Sequence, residues 1–371
     1  MNLFARFGMV CWLALVAACG EVSAPAQQGS SGPSSTPLSP SNNPTSSVGS
    51  AADAEKLATI WQSKAACESY FKSRPVKDPM PRLATWNLRW FPDGTPEASA
   101  KGGVDVEWLS CVMASLELDV IAVQEVKRTP LAKQALAQLV GHLSRLSGVS
   151  YAAELDACGL DDDAHVGFIY NKERVTADTW QDYPSLNPYG VSCQGRLRTG
   201  FGGYFKFANG PDLSLISVHL KSGSDERSYT LRRQSLAGLK TALDRAYAPN
   251  PDDDRVVLGD FNSMGCSDCV PAVSQAAELQ MLSQELLAMG AQARDLPTDL
   301  QCSQYYMGKP GLLDHVVVAG PFSEFAPEAR VRVSGYCGVA KCAGVSTLPP
   351  AYVGLSDHCP LVFELGAEDQ D

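Results

Sequence analysis

Apolar residues at Leu57, Ile60, Trp61 and Ala65 recur at helical spacing and predict an amphipathic helix over Asp53–Phe71. Pro75, Pro79 and Pro81 end that helix, which closes an N-terminal helical extension covering residues 53–81. Arg82–Leu88 reads as a short strand, Val104–Leu118 as a helix, and Val120–Val123, apolar throughout, as a buried strand. Leu131, Leu136, Leu139, Val140 and Leu143 share one face and predict a helix over Leu131–Leu146. Further strands are expected at His165–Tyr170, Tyr204–Phe207, Leu213–His219, Arg255–Leu258, Leu313–Val318 and Pro360–Leu365, with a helix over Ser228–Tyr247. Strands and helices alternate without the even beat of a barrel, and no internal repeat is present. The pattern predicts two packed sheets with helices outside.

Ahead of this patterned region lies a different kind of chain. From Glu21 to about Ala52 the residues are Ser, Pro, Gly, Asn and Gln with almost no large apolar side chain, the composition of a spacer. Residues 1–18 read as an export signal: Arg6 is its positive charge, and Phe7–Ala18 is apolar but too short to span a bilayer. The run Leu15-Val16-Ala17-Ala18-Cys19 resembles a bacterial lipobox, which makes Cys19 the expected lipidation site; cleavage near Val22-Ser23-Ala24 is the alternative. Gly20 stands where an Asp would mark inner-membrane retention, so the expectation is an outer-membrane lipoprotein with its domain in the periplasm or at the cell surface.

Composition narrows the classes. Of 371 residues 45% are hydrophobic and 19% charged, which fits a globular α+β domain and excludes a disordered chain. A formal charge of −11 argues against holding nucleic acid by bulk charge alone, while leaving room for a local basic groove. Twelve cysteines are present; setting aside Cys11 and Cys19 leaves ten, an even number that suggests disulfides in an exported protein. Cys266-x-x-Cys269 offers half a zinc site, but no second pair lies at finger spacing.

The chemistry gathers in short polar clusters that end apolar, strand-like runs, where loops collect functional groups on a rigid base. These are Trp86-Asn87, Gln124-Glu125, His219-Leu220-Lys221, Gly259-Asp260-Phe261-Asn262, Leu313-Asp314-His315 and Ser356-Asp357-His358. A single such cluster is as readily a turn or a cap. Six in order are a pattern.

That order resembles the endonuclease/exonuclease/phosphatase superfamily over residues 82–366, a group that includes deoxyribonucleases, apurinic-site endonucleases, sphingomyelinases and inositol-polyphosphate phosphatases. The resemblance implies a four-layer α/β/β/α sandwich of two packed mixed sheets with the site at one sheet edge. It also implies metal-dependent phosphoester hydrolysis, in which anionic oxygens are neutralised and a water is aligned for attack. Glu125, Asn87 and Asp357 are the implied ligands of Mg²⁺, with Mn²⁺ or Ca²⁺ as substitutes. Asp260 would orient or deprotonate the water, and Asn262 would donate to the phosphate. His358 is the implied essential histidine, held by Asp314, as base or as phosphate clamp, and His219 the second active-site histidine. Deoxyribonuclease-type members carry a carboxylate for that second histidine; Ala164 stands at the aligned position here, after Asp162 and Asp163.

Among the basic residues Arg89, Lys127, Arg128, Arg196, Arg198, Lys221, Arg227, Arg232 and Arg233, Lys127 and Arg198 are singled out as substrate contacts. The resemblance further suggests a disulfide from Cys302 to Cys266 or Cys269. The functional expectation is a nuclease acting on DNA or RNA outside the cytoplasm, with nucleic acid as substrate and membrane contact through the lipid anchor. A sphingomyelinase-like or small-molecule phosphatase and a non-catalytic binding member of the fold are the alternatives. No protein partner is inferable.

Overall fold

The computed structural model of the chain describes residues 57–73, 80–191, 197–208, 210–290, 293–320 and 330–366. The expected signal peptide (1–18), most of the helical extension's start, the spacer with Cys19 (19–52) and the acidic tail (367–371) lie outside the described residues. Fourteen strands are described: β1 Arg82–Phe91, β2 Val120–Val126, β3 Tyr151–Leu155, β4 His165–Asn171, β5 Val175–Tyr183, β6 Gly200–Phe207 and β7 Asp212–His219 come first. They are followed by β8 Arg255–Asp260, β9 Arg294–Asp295, β10 Gln304–Tyr306, β11 Lys309–Gly311, β12 Asp314–Ala319, β13 Arg332–Val333 and β14 Leu361–Glu364.

They form two six-stranded mixed sheets, ordered β13-β14-β1-β2-β4-β3 and β5-β6-β7-β8-β12-β9, with β10 and β11 as a separate hairpin. The pairs β1–β2 and β7–β8 are parallel. The sheets face one another, with β1 against β8 and β12 and β2 against β7 and β8. Helices α1 Lys64–Ser73, α2 Val106–Ser115 and α3 Pro130–Ser147 cover the first sheet; α4 Glu226–Ala237, α5 Leu239–Tyr247 and α6 Gln275–Ala288 cover the second. This is the four-layer arrangement expected.

Alternation explains the layering. In β7, Leu213 and Leu215 belong to the large core that includes the space between the sheets, while Ile216 and Val218 pack under α4–α6. In β8 Val256 and Leu258 take the first side and Val257 the second; in β12 Val316 and Val318 take the first and Val317 and Ala319 the second. The helices begin where the sequence supplies caps: Asp105, Thr129, Asp225 and Ser274 each accept a backbone N–H of the first turn.

The structure departs from the periodicity at several points. The helix expected over Asp53–Phe71 is broken at Gln62–Ser63 into a short 3₁₀ turn, Thr59–Trp61, and α1. The helix expected over Ser228–Tyr247 is two, meeting at Gly238. A Cβ on Gly238 would lie 1.8 Å from the Ser185 carbonyl, so only glycine admits that approach. The expected Cys302 bridge to Cys266 or Cys269 is also wrong. Cys266 pairs with Cys269 and Cys302 with Cys342, alongside Cys67–Cys111 and Cys337–Cys359. The loop after β8 turns back on itself through the Cys266–Val273 bridge, which brings Cys269 to Cys266 and closes the half-zinc reading. These bridges fit folding in an oxidising compartment.

Candidate active site

Strand direction brings the polar clusters to one edge. β1, β2, β7 and β8 end there, and β12 and β14 begin there. Register then sets the details: His219 stands opposite Asp260 across β7–β8, and Asp314 stands opposite Asp260 across β8–β12. By the alternation above, His219, Asp260 and Asp314 continue the side occupied by Leu215, Leu258 and Val316. His315 falls on the helix side instead, bonded to Asp295 at 2.9 Å and Ser263 at 3.0 Å, and takes no part in the cluster.

Glu125 reaches the same centre by breaking alternation. Gln124 already points between the sheets, where its amide donates to Ser217 at 3.0 Å. The left-handed backbone of Glu125 (φ 59°) and the bulge between Val123 and Val126 turn the next side chain inward as well. Arg89, Trp90 and Asn262 also have positive φ, so strained backbone concentrates at this edge.

Asn87, Glu125, His219, Asp260, Asn262, Asp314, Asp357 and His358 are all buried. Asn87 donates its amide to Glu125 Oε1 (3.0 Å) and Asp260 Oδ2 (2.9 Å), bridging the two carboxylates, while its oxygen accepts from Arg89 N–H. His358 Nδ1 pairs with Asp314 Oδ2 at 2.9 Å, and the same oxygen accepts from the Ser303 hydroxyl at 2.7 Å. His358 Nε2 then faces Asp260 Oδ2 at 3.8 Å and Asp357 Oδ1 at 4.0 Å. His219 Nε2 lies 3.7 Å from Glu125 Oε1 and 3.6 Å from Asp260 Oδ2. Its buried Nδ1 has no hydrogen-bond partner, in keeping with Ala164 at the position where a carboxylate was looked for. The Asn262 amide is held by the Leu220 carbonyl at 3.1 Å.

Electrostatics separates the two histidines. Burial works against charge on His358, but Asp314, through its charge and hydrogen bond, and then Asp260 and Asp357 override it and push its pKa up to about 10. It is an imidazolium at neutral pH. His219 is held well below its ordinary value by burial, then by Arg198 and His358, and is neutral. Burial raises Asp260 to about 7 against the pull of His358, with Asp314 and Glu125 adding like-charge repulsion.

Two sets of ligand atoms converge within 4.8 Å of one another, Glu125–His219–Asp260 and Asp260–Asp314–His358. The buried oxygens Asp314 Oδ1 and Asp357 Oδ1 also have no hydrogen-bond partner. Oxygen-rich, crowded and undercompensated, the donor set fits a hard divalent cation.

Of the expected substrate contacts, Arg198 lies within electrostatic reach of Glu125 and Asp260, half-buried and donating through Nε to the Ala164 carbonyl. Lys127 is drawn aside to Asp93 at 2.5 Å and sits 5.5 Å over the Trp90 ring. The sequence reading missed Arg89 as a site cation: its Nε lies 3.5 Å from Asp357, and Asp357 and Glu125 raise its pKa against the effect of burial. Adjacency to Asn87 was its only signal. Ser303 was missed too, having no motif of its own. His165 is buried against Asp156 and the Leu160 carbonyl on the loop that Arg198 contacts.

Two disulfides brace this machinery from behind. Cys359 follows His358 and is tied to Cys337; Cys302 precedes Ser303 and is tied to Cys342. A Cys337→Ala/Cys359→Ala double variant is expected to lose roughly 10–100-fold in turnover, because ångström-scale displacement of His358 suffices for that loss. Steady-state rates of the purified variant, compared with its circular dichroism, check this.

The comparisons agree with this geometry. The model of the Endonuclease/Exonuclease/phosphatase family matches residues 84–358. A Bacteroides vulgatus endonuclease/exonuclease/phosphatase structure is 16% identical with a TM-score of 0.51, covering 77% of this chain and 98% of that one. A truncated Caenorhabditis elegans TDP2 structure is 14% identical with a TM-score of 0.51, covering 77% and 97%. At such identity these likenesses speak for the fold. The search of curated proteins gave no match. With the family model spanning every residue of the cluster from Asn87 to His358, the chain belongs to the Endonuclease/Exonuclease/phosphatase family and is a phosphoesterase of that family.

Proposed function

We propose that the chain is an exported, Mg²⁺-dependent phosphodiesterase acting on DNA or RNA, held at the outer membrane through Cys19. The observation that carries the catalytic reading is the convergence of Glu125, Asp260, Asp314 and His358 on one buried centre with unsatisfied carboxylate oxygens facing it. Glu125 and Asp260, with Asn87, His219 and Asp357 around them, would hold a divalent ion there, which would supply neutralising charge for the phosphate oxygens and the leaving oxygen. Asp260 orients the attacking water and accepts its proton. His358, cationic and aimed by Asp314, acts as the phosphate clamp. Asn262 donates its second amide hydrogen to the phosphate, and Arg89 and Arg198 bind the substrate's backbone from the two sides. His219, neutral and without a carboxylate, is a ligand and not the acid that protonates the leaving group.

A second reading, hydrolysis of a phospholipid headgroup, is favoured by the Tyr306-Met307 tip of the β10–β11 hairpin, where both side chains are exposed beside the site. The full chain incubated with plasmid DNA, RNA, sphingomyelin and inositol phosphates separates the two. Nicking that requires Mg²⁺ and stops with chelator is expected; release of phosphocholine without nicking overturns the nuclease reading.

Mg²⁺ is also expected to stabilise the fold. At about 100 times its Kd the ion contributes about 2.7 kcal/mol, read as a rise in thermal midpoint that chelator reverses. An unchanged midpoint across a wide Mg²⁺ range counts against the site.

A further inference from the structure

The exposed apolar side chains are unevenly distributed. Among the described residues eleven large hydrophobic side chains are exposed, and nine of them lie in the connections that strand direction places at the site edge. They include Leu131 (67% exposed), Leu160 (64%), Val270 (99%), Tyr306 and Met307 (77%), from four separate connections. Only Tyr247 and Leu287 lie elsewhere in that set, on α5 and α6. Single exposed apolar residues need no explanation. Their concentration around one edge does. The loops that carry them are braced: Val270 follows the Cys266–Cys269 bridge, and the Tyr306-Met307 tip is held by Tyr305 O–H on the Ala343 carbonyl and by Val345 N–H on Gly308.

An independent observation points to what meets this edge. The first described residues join the domain on the same side. The Ile60 carbonyl accepts from Trp108 Nε1 at 2.8 Å, and Lys64 pairs with Glu107, both in the first turn of α2. That turn starts beside Gly354, whose carbonyl accepts from Asp105 N–H at 2.9 Å, just ahead of Ser356-Asp357-His358. The described chain therefore begins on the side of the site edge. Only 38 residues separate Cys19 from Leu57, a reach of about 35 Å for a chain of that composition.

We infer that the site edge docks on a lipid surface, inserting Leu131, Leu160, Val270, Tyr306 and Met307 into the interfacial region with the buried centre opening toward the headgroups. The charges interleaved with them are of both signs: Asp161, Asp162 and Asp163 follow Leu160, Asp268 precedes Val270, and Lys309 follows Met307 closely. Insertion is thus apolar in origin, it favours zwitterionic over anionic lipid, and salt weakens it little. The surface is separate from the choice of phosphoester: a nuclease held at a membrane and a phospholipid hydrolase would both present it.

The test uses residues 49–371, which form one compact unit holding both sheets and the four bridges named above. Co-sedimentation with phosphatidylcholine vesicles is expected. Val270→Asp and Met307→Asp, both on exposed loop positions outside the proposed catalytic set, should each weaken partitioning about tenfold, and Leu287→Asp should not. Absence of vesicle binding, or binding indifferent to the rim variants, overturns the inference. So does a rim that leaves vesicles alone yet binds single-stranded oligonucleotide with the same variant sensitivity. Plasmid nicking, measured on the same samples, is expected to persist in all three variants. Lost vesicle binding with intact nicking removes the docking surface alone, and intact vesicle binding without nicking removes the nuclease reading alone.

Discussion

His358→Ala is expected to lower kcat/KM by about 10³-fold or more and, because Asp314 loses its buried cation, to lower the thermal midpoint without preventing folding. The side chain is the cation paired with Asp314, 2.9 Å away, and it lies 3.8 Å from Asp260. Its charge matters where negative charge grows on the phosphate, and the second histidine, His219, cannot replace it, since burial and its cationic neighbours disfavour its charged form. Packing gains little from the ring, and Asp314 keeps the Ser303 hydroxyl and the backbone around it. Rates and melting curves on one preparation check both halves. Near-normal turnover would remove His358 from the mechanism.

The second large effect is on stability. Arg232 is fully buried on α4, and all its nitrogens are used. Glu278 takes Nε at 2.7 Å and one terminal nitrogen at 3.1 Å, and the carbonyls of Lys221, Gly223 and Gly265 take the rest. One guanidinium thereby ties the loop after β7 to the loop after β8 and to α6. Arg232→Met leaves Glu278 buried, accepting only from Gly265 N–H, and strands three carbonyls. A cost of about 3–5 kcal/mol is expected, or a midpoint roughly 10 °C lower. Adding Glu278→Leu should recover a large part of it, because the uncompensated carboxylate is what costs most. A double variant no better than the single would show that the carbonyls dominate.

Arg232 also shows what the sequence could and could not reveal. It is one of nine basic residues near the motifs and was not singled out, because nothing in the linear pattern distinguishes a buried ion pair from an open one. The same limit explains Arg89 and Lys127, where proximity to Asn87 and Glu125 was equal and the left-handed backbone at Arg89 and Trp90 decided which cation turns inward. Where strand alternation governs, the reading carried through: Asp260 and Asp314 follow from apolar runs with period two, and parity alone separates Asp314 from His315. Glu125 breaks that parity through a bulge, and only the motif, not the period, identified it. Edge strands escaped for the opposite reason. β5, Val175–Tyr183, is mostly half-exposed and polar, so no apolar run announces it. The cysteine pairing failed because bridges depend on loop paths that carry no periodicity at all.

The central claim is that a divalent cation sits among Glu125, Asp260 and their neighbours, and Mn²⁺ reports on it directly. An electron paramagnetic resonance titration of the full chain with Mn²⁺ should show saturable binding that Mg²⁺ displaces. Glu125→Gln, which keeps the shape and removes the charge, should weaken that binding by about tenfold or more. Equal Mn²⁺ affinity in wild type and Glu125→Gln would contradict the account.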